Sequence, residues 1–221
     1  MNQAMNINKQ KKLCESKINR KRKELRQAIN EWNKSFDRYI DTAPKLESAN
    51  LNGCKVLADR YELLKYMPKR SVVCEVGTYR GEFAQKIIET TNPEKLHIID
   101  ISFDKFDWEN FKKKDINNIS SMHEIESVAG LSKFPDRHFD WIYIDADHYF
   151  DGVLNDINIA KEKVKEEGYL VFNDYTTWSV AGVAKCGVAR AVNQFCKDEG
   201  WKFVYFALHN NMYCDVAIQK M

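Results

Sequence analysis

The sequence predicts a doubly wound α/β domain: a seven-stranded, mostly parallel sheet closed by an antiparallel C-terminal hairpin, with a helical arm ahead of it. Three observations carry this. From residue 71 onward, short and mostly apolar runs alternate with stretches of helical spacing. The first of those runs ends in a glycine-rich turn, Glu75-Val76-Gly77-Thr78-Tyr79-Arg80-Gly81, that opens a helix. The last two runs are separated only by Leu208-His209-Asn210-Asn211, too short for a parallel crossover, so they must pair antiparallel.

In chain order, residues 9–40 read as one helix. Ile18, Leu25, Trp32 and Tyr39 recur every seven residues, and Ile29 and Phe36 follow Leu25 and Trp32 by four. This stripe suits either packing on the chain's own body or a homodimer seam. Pro44 forces a stop or bend, because proline lacks the amide and disfavours helix just before itself. The boundary is placed so that residues 1–50 form the arm and 51–221 the domain. Residues 55–67 carry Leu57, Tyr61 and Leu64 at helical spacing, and Pro68 ends that helix. Val72–Val76, Leu96–Asp100, Met122–Glu126, Trp141–Asp145 and Tyr169–Phe172 read as strands. Helices are expected at Glu82–Thr91, at about 150–166 with Gly168 as its cap, and within about 183–198. Lys202–Ala207 and Met212–Ile218 form the hairpin.

Composition sets outer bounds. The chain has 221 residues, 44% hydrophobic and 30% charged, which excludes a disordered or collagen-like chain. No apolar run approaches the roughly 18–20 residues of a membrane span. The start lacks a signal-peptide core, so a cytoplasmic location is expected. Net charge is +2, and residues 1–50 carry twelve Lys/Arg against six Asp/Glu. No global basic field points to nucleic acid, so it is not the expected partner, while the basic arm keeps RNA among the alternatives. The six cysteines are scattered without a C-x-x-C pair, which argues against zinc or a disulfide framework.

The chemistry-bearing residues fall at predicted strand ends. Glycine at 77 permits a sharp turn and close approach of a ligand to the backbone. Asp100 ends the second strand 23 residues after Gly77, where a carboxylate can accept from both hydroxyls of a ribose. That spacing supports an adenosine ligand without choosing between NAD and S-adenosylmethionine. The pattern is not G-x-G-x-x-G, which counts against an NAD-linked oxidoreductase.

The stretch E-x-G-x-x-x-G at Glu75–Gly81 resembles the first motif of class I S-adenosylmethionine-dependent methyltransferases. Phe139-Asp140-Trp141-Ile142-Tyr143-Ile144-Asp145-Ala146-Asp147-His148-Tyr149 resembles the F-D-x-x-[FY]-I-D-A-D-H-x-Y stretch of small-molecule O-methyltransferases, of the catechol type and the bacterial type acting on sugar hydroxyls. Gly168–Tyr175 resembles their G-G-x-[IV]-x-x-D-[DNY], with one glycine kept, and Gly187–Phe195 their G-V-x-x-A-V-x-x-F helix. The likeness covers about residues 54–218.

It implies a Rossmann-like methyltransferase fold and O-methylation of a small hydroxylated acceptor. The cofactor, S-adenosylmethionine, would be held by Glu75, Gly77, Thr78, Gly81, Asp100, Ile101, Glu126, Ser127 and Asp145. Asp145 and His148 would be catalytic. Asp145 and Asp174 match two metal ligands of the Mg2+-assisted branch, so Mg2+ assistance is one expectation and a metal-free site the other. Besides the missing glycine and Tyr149 falling one place early, the sequence departs from the pattern in three places. Tyr175 stands where that branch has a third ligand, Asn. His148 stands where it has a catalytic lysine. Ile125 replaces a glycine before Glu126-Ser127. A non-catalytic cofactor-binding subunit whose helix recruits a partner is the rival reading, and the basic arm leaves an RNA methyltransferase as another.

Overall fold

The computed structural model describes residues 2–40 and 42–221. The chain divides into two compact units between residues 41 and 42.

The first unit is α1 (Asn2–Ser35) and a short tail. The helix ends earlier than its heptad stripe. Asn33 Oδ1 accepts from the Tyr39 N–H at 2.7 Å, which turns the chain out of helix. Phe36 and Tyr39 therefore fold back on Trp32, with ring centroids 4.8 and 5.7 Å away. Ile7, Leu13, Ile18 and Trp32 are exposed.

The second unit begins at residue 42, not at 51. Asn193 Nδ2 donates to the Pro44 carbonyl at 2.8 Å, and Asn50 Nδ2 donates to the Trp201 carbonyl at 2.9 Å. The buried Asn50 sits in the one-turn helix α2 (Ser48–Leu51). The single helix expected over 55–67 is a strand followed by a helix. In β1 (Lys55–Leu57), Lys55 pairs with Tyr205 in a parallel ladder. Asp59 then caps α3 (Arg60–Tyr66) by accepting from the Glu62 N–H, and Glu62 accepts from the Ala58 N–H.

The alternating region follows as β2 (Val72–Val76), α4 (Glu82–Thr91), β3 (Lys95–Asp100), α5 (Trp108–Lys114), β4 (Ser120–Glu124), α6 (Ser127–Leu131) and β5 (Phe139–Ile144). Next come α7 (Phe150–Lys163), β6 (Val164–Phe172), β7 (Trp178–Ser179), β8 (Ala184–Lys185), α8 (Val188–Glu199), β9 (Trp201–Ala207) and β10 (Asp215–Lys220). Helix α5 lies in a stretch that reads as merely polar. The aromatic residues Phe103, Phe106 and Phe111 anchor it. Gly168 is inside β6 and not a helix cap; a side chain there would meet the Asp140 carbonyl oxygen at 2.6 Å.

The main sheet has eight strands in the order β1-β9-β10-β6-β5-β2-β3-β4, one edge strand more than expected. The ladders linking β6, β5, β2, β3 and β4 are parallel, and β10 is antiparallel to both neighbours. Strand alternation separates two cores. Cys74, Val76, Ile142, Ile144, Leu170 and Phe172 face α7 and α8. Val73, Leu96, Ile98, Trp141, Tyr143 and Val171 face α3, α4 and α5. Most of these side chains are fully buried, each contributing about 1.5–3 kcal/mol. Among the described residues, no helix is long and apolar enough to cross a membrane.

From β2 the chain moves outward to β3 and β4, then returns to β5 and β6 on the other side. The switch point thus lies between the carboxyl ends of β2 and β5, where such sheets open a ligand crevice.

Candidate functional site

A cavity of about 670 Å3 opens at this switch point. Its walls come from four strand ends: Gly77–Tyr79 after β2, Asp100–Ser102 with Asp104 and Lys105 after β3, Ile125–Val128 after β4, and Asp145–Asp147 after β5.

The turn after β2 is shaped by three close approaches. Gly77 has φ +81°, and a Cβ there would lie 2.5 Å from the Asp145 carbonyl carbon and 2.8 Å from the Ala146 nitrogen. Only glycine meets both demands. Gly77 N donates to the Ile99 carbonyl at 2.8 Å, and Asp145 N to the Val76 carbonyl at 2.7 Å, which locks β2, β3 and β5 at one level. Asp100 cinches the turn. Its Oδ2 accepts from the Thr78 and Tyr79 N–H groups at 2.8 and 3.1 Å, and Oδ1 accepts from the Ser102 N–H at 3.2 Å. Each carboxylate oxygen has lone-pair capacity left, so Asp100 can still accept from a diol.

Two residues of the glycine turn, Glu75 and Gly81, lie behind the cavity wall. Glu75 is buried and does not line the cavity; its Oε2 accepts from the Thr78 hydroxyl at 2.7 Å. Burial pushes its carboxyl up to about 8, with the nearby Asp145 and Asp100 adding to the rise. Gly81, at φ +74°, is the N-cap of α4, and a Cβ there would meet Phe106 Cζ at 2.6 Å. Gly81 therefore serves packing under the turn. Gly77, Thr78, Asp100, Ile101, Glu126, Ser127 and Asp145 do line the cavity. The Ile101 side chain is 73% exposed at its wall, an apolar surface suited to a flat ring. Asp104 and Lys105 also line it and were not expected. They lie in loops, where no periodicity marks orientation.

Beside this cavity, His148 bridges two strand ends. Its Nε2 lies 3.3 Å from Asp145 Oδ1 and 3.5 Å from Asp174 Oδ2. The hydrogen bond to Asp145, with the charges of Asp145, Asp174 and Asp147, raises the imidazole above its ordinary 6.5 against the opposing effect of burial. Burial and the charge of Asp145 raise Asp174. Asp174 has φ +53°, a left-handed conformation that aspartate tolerates.

The residues present do not fit a divalent cation between Asp145 and Asp174. His148 bridges that pair, and the residues that could complete a ligand set are turned to other partners by at least one polar atom. Tyr175 donates its hydroxyl to Asn193 Oδ1 at 2.6 Å. Asn173 is buried and donates to the Tyr143 hydroxyl and to Asp215. Asp147 accepts from the Tyr149 N–H at the start of α7. Among the described residues, no group of three His, Cys, Asp or Glu side chains is arranged to hold a metal.

Beneath this pair lies a network that sequence reading missed. The Tyr143 hydroxyl donates to Asp215 Oδ2 at 2.8 Å. Burial lifts Asp215 to about 7. Burial alone would lower Arg60, but the field of Tyr143 and Asp215 holds it above its ordinary value. Its guanidinium lies 4.9 Å from the Phe83 ring centroid. Asp215 opens the closing strand and reaches this edge only because β10 runs antiparallel, a relation no local motif announces.

Asp100→Ala is expected to weaken binding of S-adenosylhomocysteine at least tenfold, in part by releasing the turn as well as by removing a ligand contact. Titration calorimetry measures the affinity. An unchanged value would remove Asp100 from the site.

Residues 74–175 match the family model described as a methyltransferase domain. An uncharacterized protein of Acanthamoeba polyphaga mimivirus is 26% identical over 110 residues, 46% of this chain and 50% of that protein. The chain thus spans half the length of this curated relative. Among solved structures, the B. subtilis tRNA methyltransferase TrmK aligns with TM-score 0.55 and 13% identity, over 75% of this chain and 67% of that one. A SAM-dependent methyltransferase from Aquifex aeolicus aligns at 0.51 and 17%, over 73% and 89%. Spermidine synthase from Thermotoga maritima aligns at 0.51 and 15%, over 75% and 58%. At these identities the three share a fold with this chain and nothing finer. The match over residues 74–175, on this sheet order, gives the chain a Rossmann-like methyltransferase fold and a likeness to S-adenosylmethionine-dependent methyltransferases.

Proposed function

We propose that the chain transfers the methyl group of S-adenosylmethionine to a hydroxyl of a small molecule, such as a sugar, phenol or natural product, with His148 as the base. The observation that carries this reading is the imidazole held between two strand-end carboxylates beside the cavity, at 3.3 and 3.5 Å. The sulfonium supplies an activated methyl and its own leaving group. What remains for the protein is alignment and removal of one proton.

The turn at Gly77–Tyr79 and Asp100 hold the nucleoside and amino-acid parts of the cofactor. Ile101 and Ile125–Ser127 enclose the base. In the tautomer that donates from Nε2 to Asp145, His148 keeps its Nδ1 lone pair free to accept the acceptor's proton. As the acceptor oxygen bonds to the methyl carbon, the carbon–sulfur bond breaks and its electron pair stays on sulfur. The proton moves to His148. Asp145 and Asp174, both half-buried, stabilise the imidazolium that results. An amine or a nucleic-acid base would fit the fold equally, but a proton acceptor of this kind is what a neutral hydroxyl demands.

The test is release of S-adenosylhomocysteine across a panel of sugars, phenols and hydroxylated natural products, with amines and tRNA as contrasts. Turnover confined to amines or tRNA would overturn the acceptor class. Because His148 bridges the two aspartates, EDTA or added Mg2+ is expected to change the rate by less than about twofold. Loss of more than about 90% of the rate in EDTA, restored by Mg2+, would reinstate a metal-assisted mechanism.

A further inference from the structure

Helix α7 hides a carboxylate that the mechanism above does not use. Asp156 is 1% exposed, on the inward face with Val153, Ile157 and Ala160. Its Oδ1 accepts from the Ser127 hydroxyl at 2.5 Å. Its Oδ2 has no hydrogen-bond partner among the described residues. Ser127, at the start of α6, lines the cavity.

A buried carboxylate with one oxygen unsatisfied costs stability, so helix packing alone does not account for it. Burial lifts its acid only to about 6, so at pH 7.5 it is ionised and can only accept. The single hydroxyl proton of Ser127 is therefore committed inward. To any ligand group that reaches it, Ser127 Oγ then offers lone pairs and no donor. Such a wall is complementary to an N–H2 group and opposed to a carbonyl oxygen.

We propose that Asp156 is a positioning residue for nucleobase specificity: it holds the Ser127 hydroxyl so that the cavity accepts a 6-amino purine and rejects a 6-oxo purine. The inference rests on the cavity being the S-adenosylmethionine site. It concerns how adenine is told from hypoxanthine there, not whether the cofactor binds.

The test is calorimetry at pH 7.5 with S-adenosylhomocysteine and its 6-oxo analogue, S-inosylhomocysteine. The wild type should prefer the amino compound by more than about tenfold, as sites built to pair one polar group do. Asp156→Leu, which removes the acceptor, and Ser127→Ala should each lower that preference to less than about threefold. Asp156→Asn should retain it, because its amide oxygen still accepts from Ser127. A merely structural role for Asp156 would weaken both ligands equally in Asp156→Leu and leave the ratio unchanged, which would overturn the proposal. Should Asp156→Leu fail to fold, Asp156→Ala and Ser127→Ala carry the same comparison. Wild-type protein that binds both compounds equally would overturn the specificity role and leave the cofactor site standing. Protein that binds neither would overturn the cofactor site itself.

Discussion

Replacing Gly77 with alanine is expected to abolish measurable binding of S-adenosylhomocysteine and to lower stability by about 3 kcal/mol. Two independent costs meet at this residue. Its φ of +81° lies in the left-handed region, which an L side chain enters at a penalty. The added Cβ would lie against the Asp145–Ala146 peptide, within 2.5 Å of the carbonyl carbon. Backbone cannot swing aside as a long side chain can. Relief must come from moving the β2 turn away from β5, and that displaces the Thr78 and Tyr79 N–H groups from Asp100. Denaturant unfolding reads the stability, and calorimetry reads the binding. A variant with wild-type affinity would show that the turn is not part of the cofactor site. Gly81→Ala is a useful contrast, because its clash is with the Phe106 ring, outside the cavity lining.

His148→Gln is expected to lower kcat by about 10²–10⁴ with little change in acceptor KM. Glutamine keeps a polar side chain near Asp145 but holds no basic nitrogen. The pH profile gives an independent check. His148 is raised above 6.5, first by its hydrogen bond to Asp145. Its proton-accepting form therefore grows as pH rises, and the rate should climb through an inflection above 6.5. Asp174→Asn removes one of the charges that raise it and should move that inflection downward. The same shift gives the sign for stability. A histidine raised in the folded state contributes stability that is full below about 6.5 and is lost as pH rises through the folded value. An inflection unmoved by Asp174→Asn, or a full rate in His148→Gln, would assign the proton to another group.

The parallel core of the fold was legible because its strands are buried on both faces. Val72–Val76 is β-branched or small and apolar at every position but Glu75, a composition typical of a strand covered on both faces. The glycine turn and Asp100 were legible for a related reason: backbone geometry and strand-end carboxylates leave their mark in a few consecutive residues. What escaped reading was set by distant partners. Lys55–Leu57 forms a strand only because β9 offers a parallel edge, and its three residues hold too little pattern to outweigh the helical spacing around them. Arg60, Tyr143 and Asp215 converge from three separate elements, and Asp156 meets Ser127 across 29 positions. His148 lies against both Asp145 and Asp174, a convergence that no spacing along the chain announces. Glu75 is legible from its motif position, whereas its burial and its bond to the Thr78 hydroxyl, which brace the turn, are not.

The central claim is that the cavity between the ends of β2 and β5 holds an S-adenosyl cofactor. The most direct measurement is calorimetric titration of the protein with S-adenosylhomocysteine at pH 7.5, beside the Gly77→Ala variant. The account predicts one site per chain with micromolar affinity in the wild type and no detectable heat in the variant. No binding to the folded wild type, or equal binding by both proteins, would contradict it.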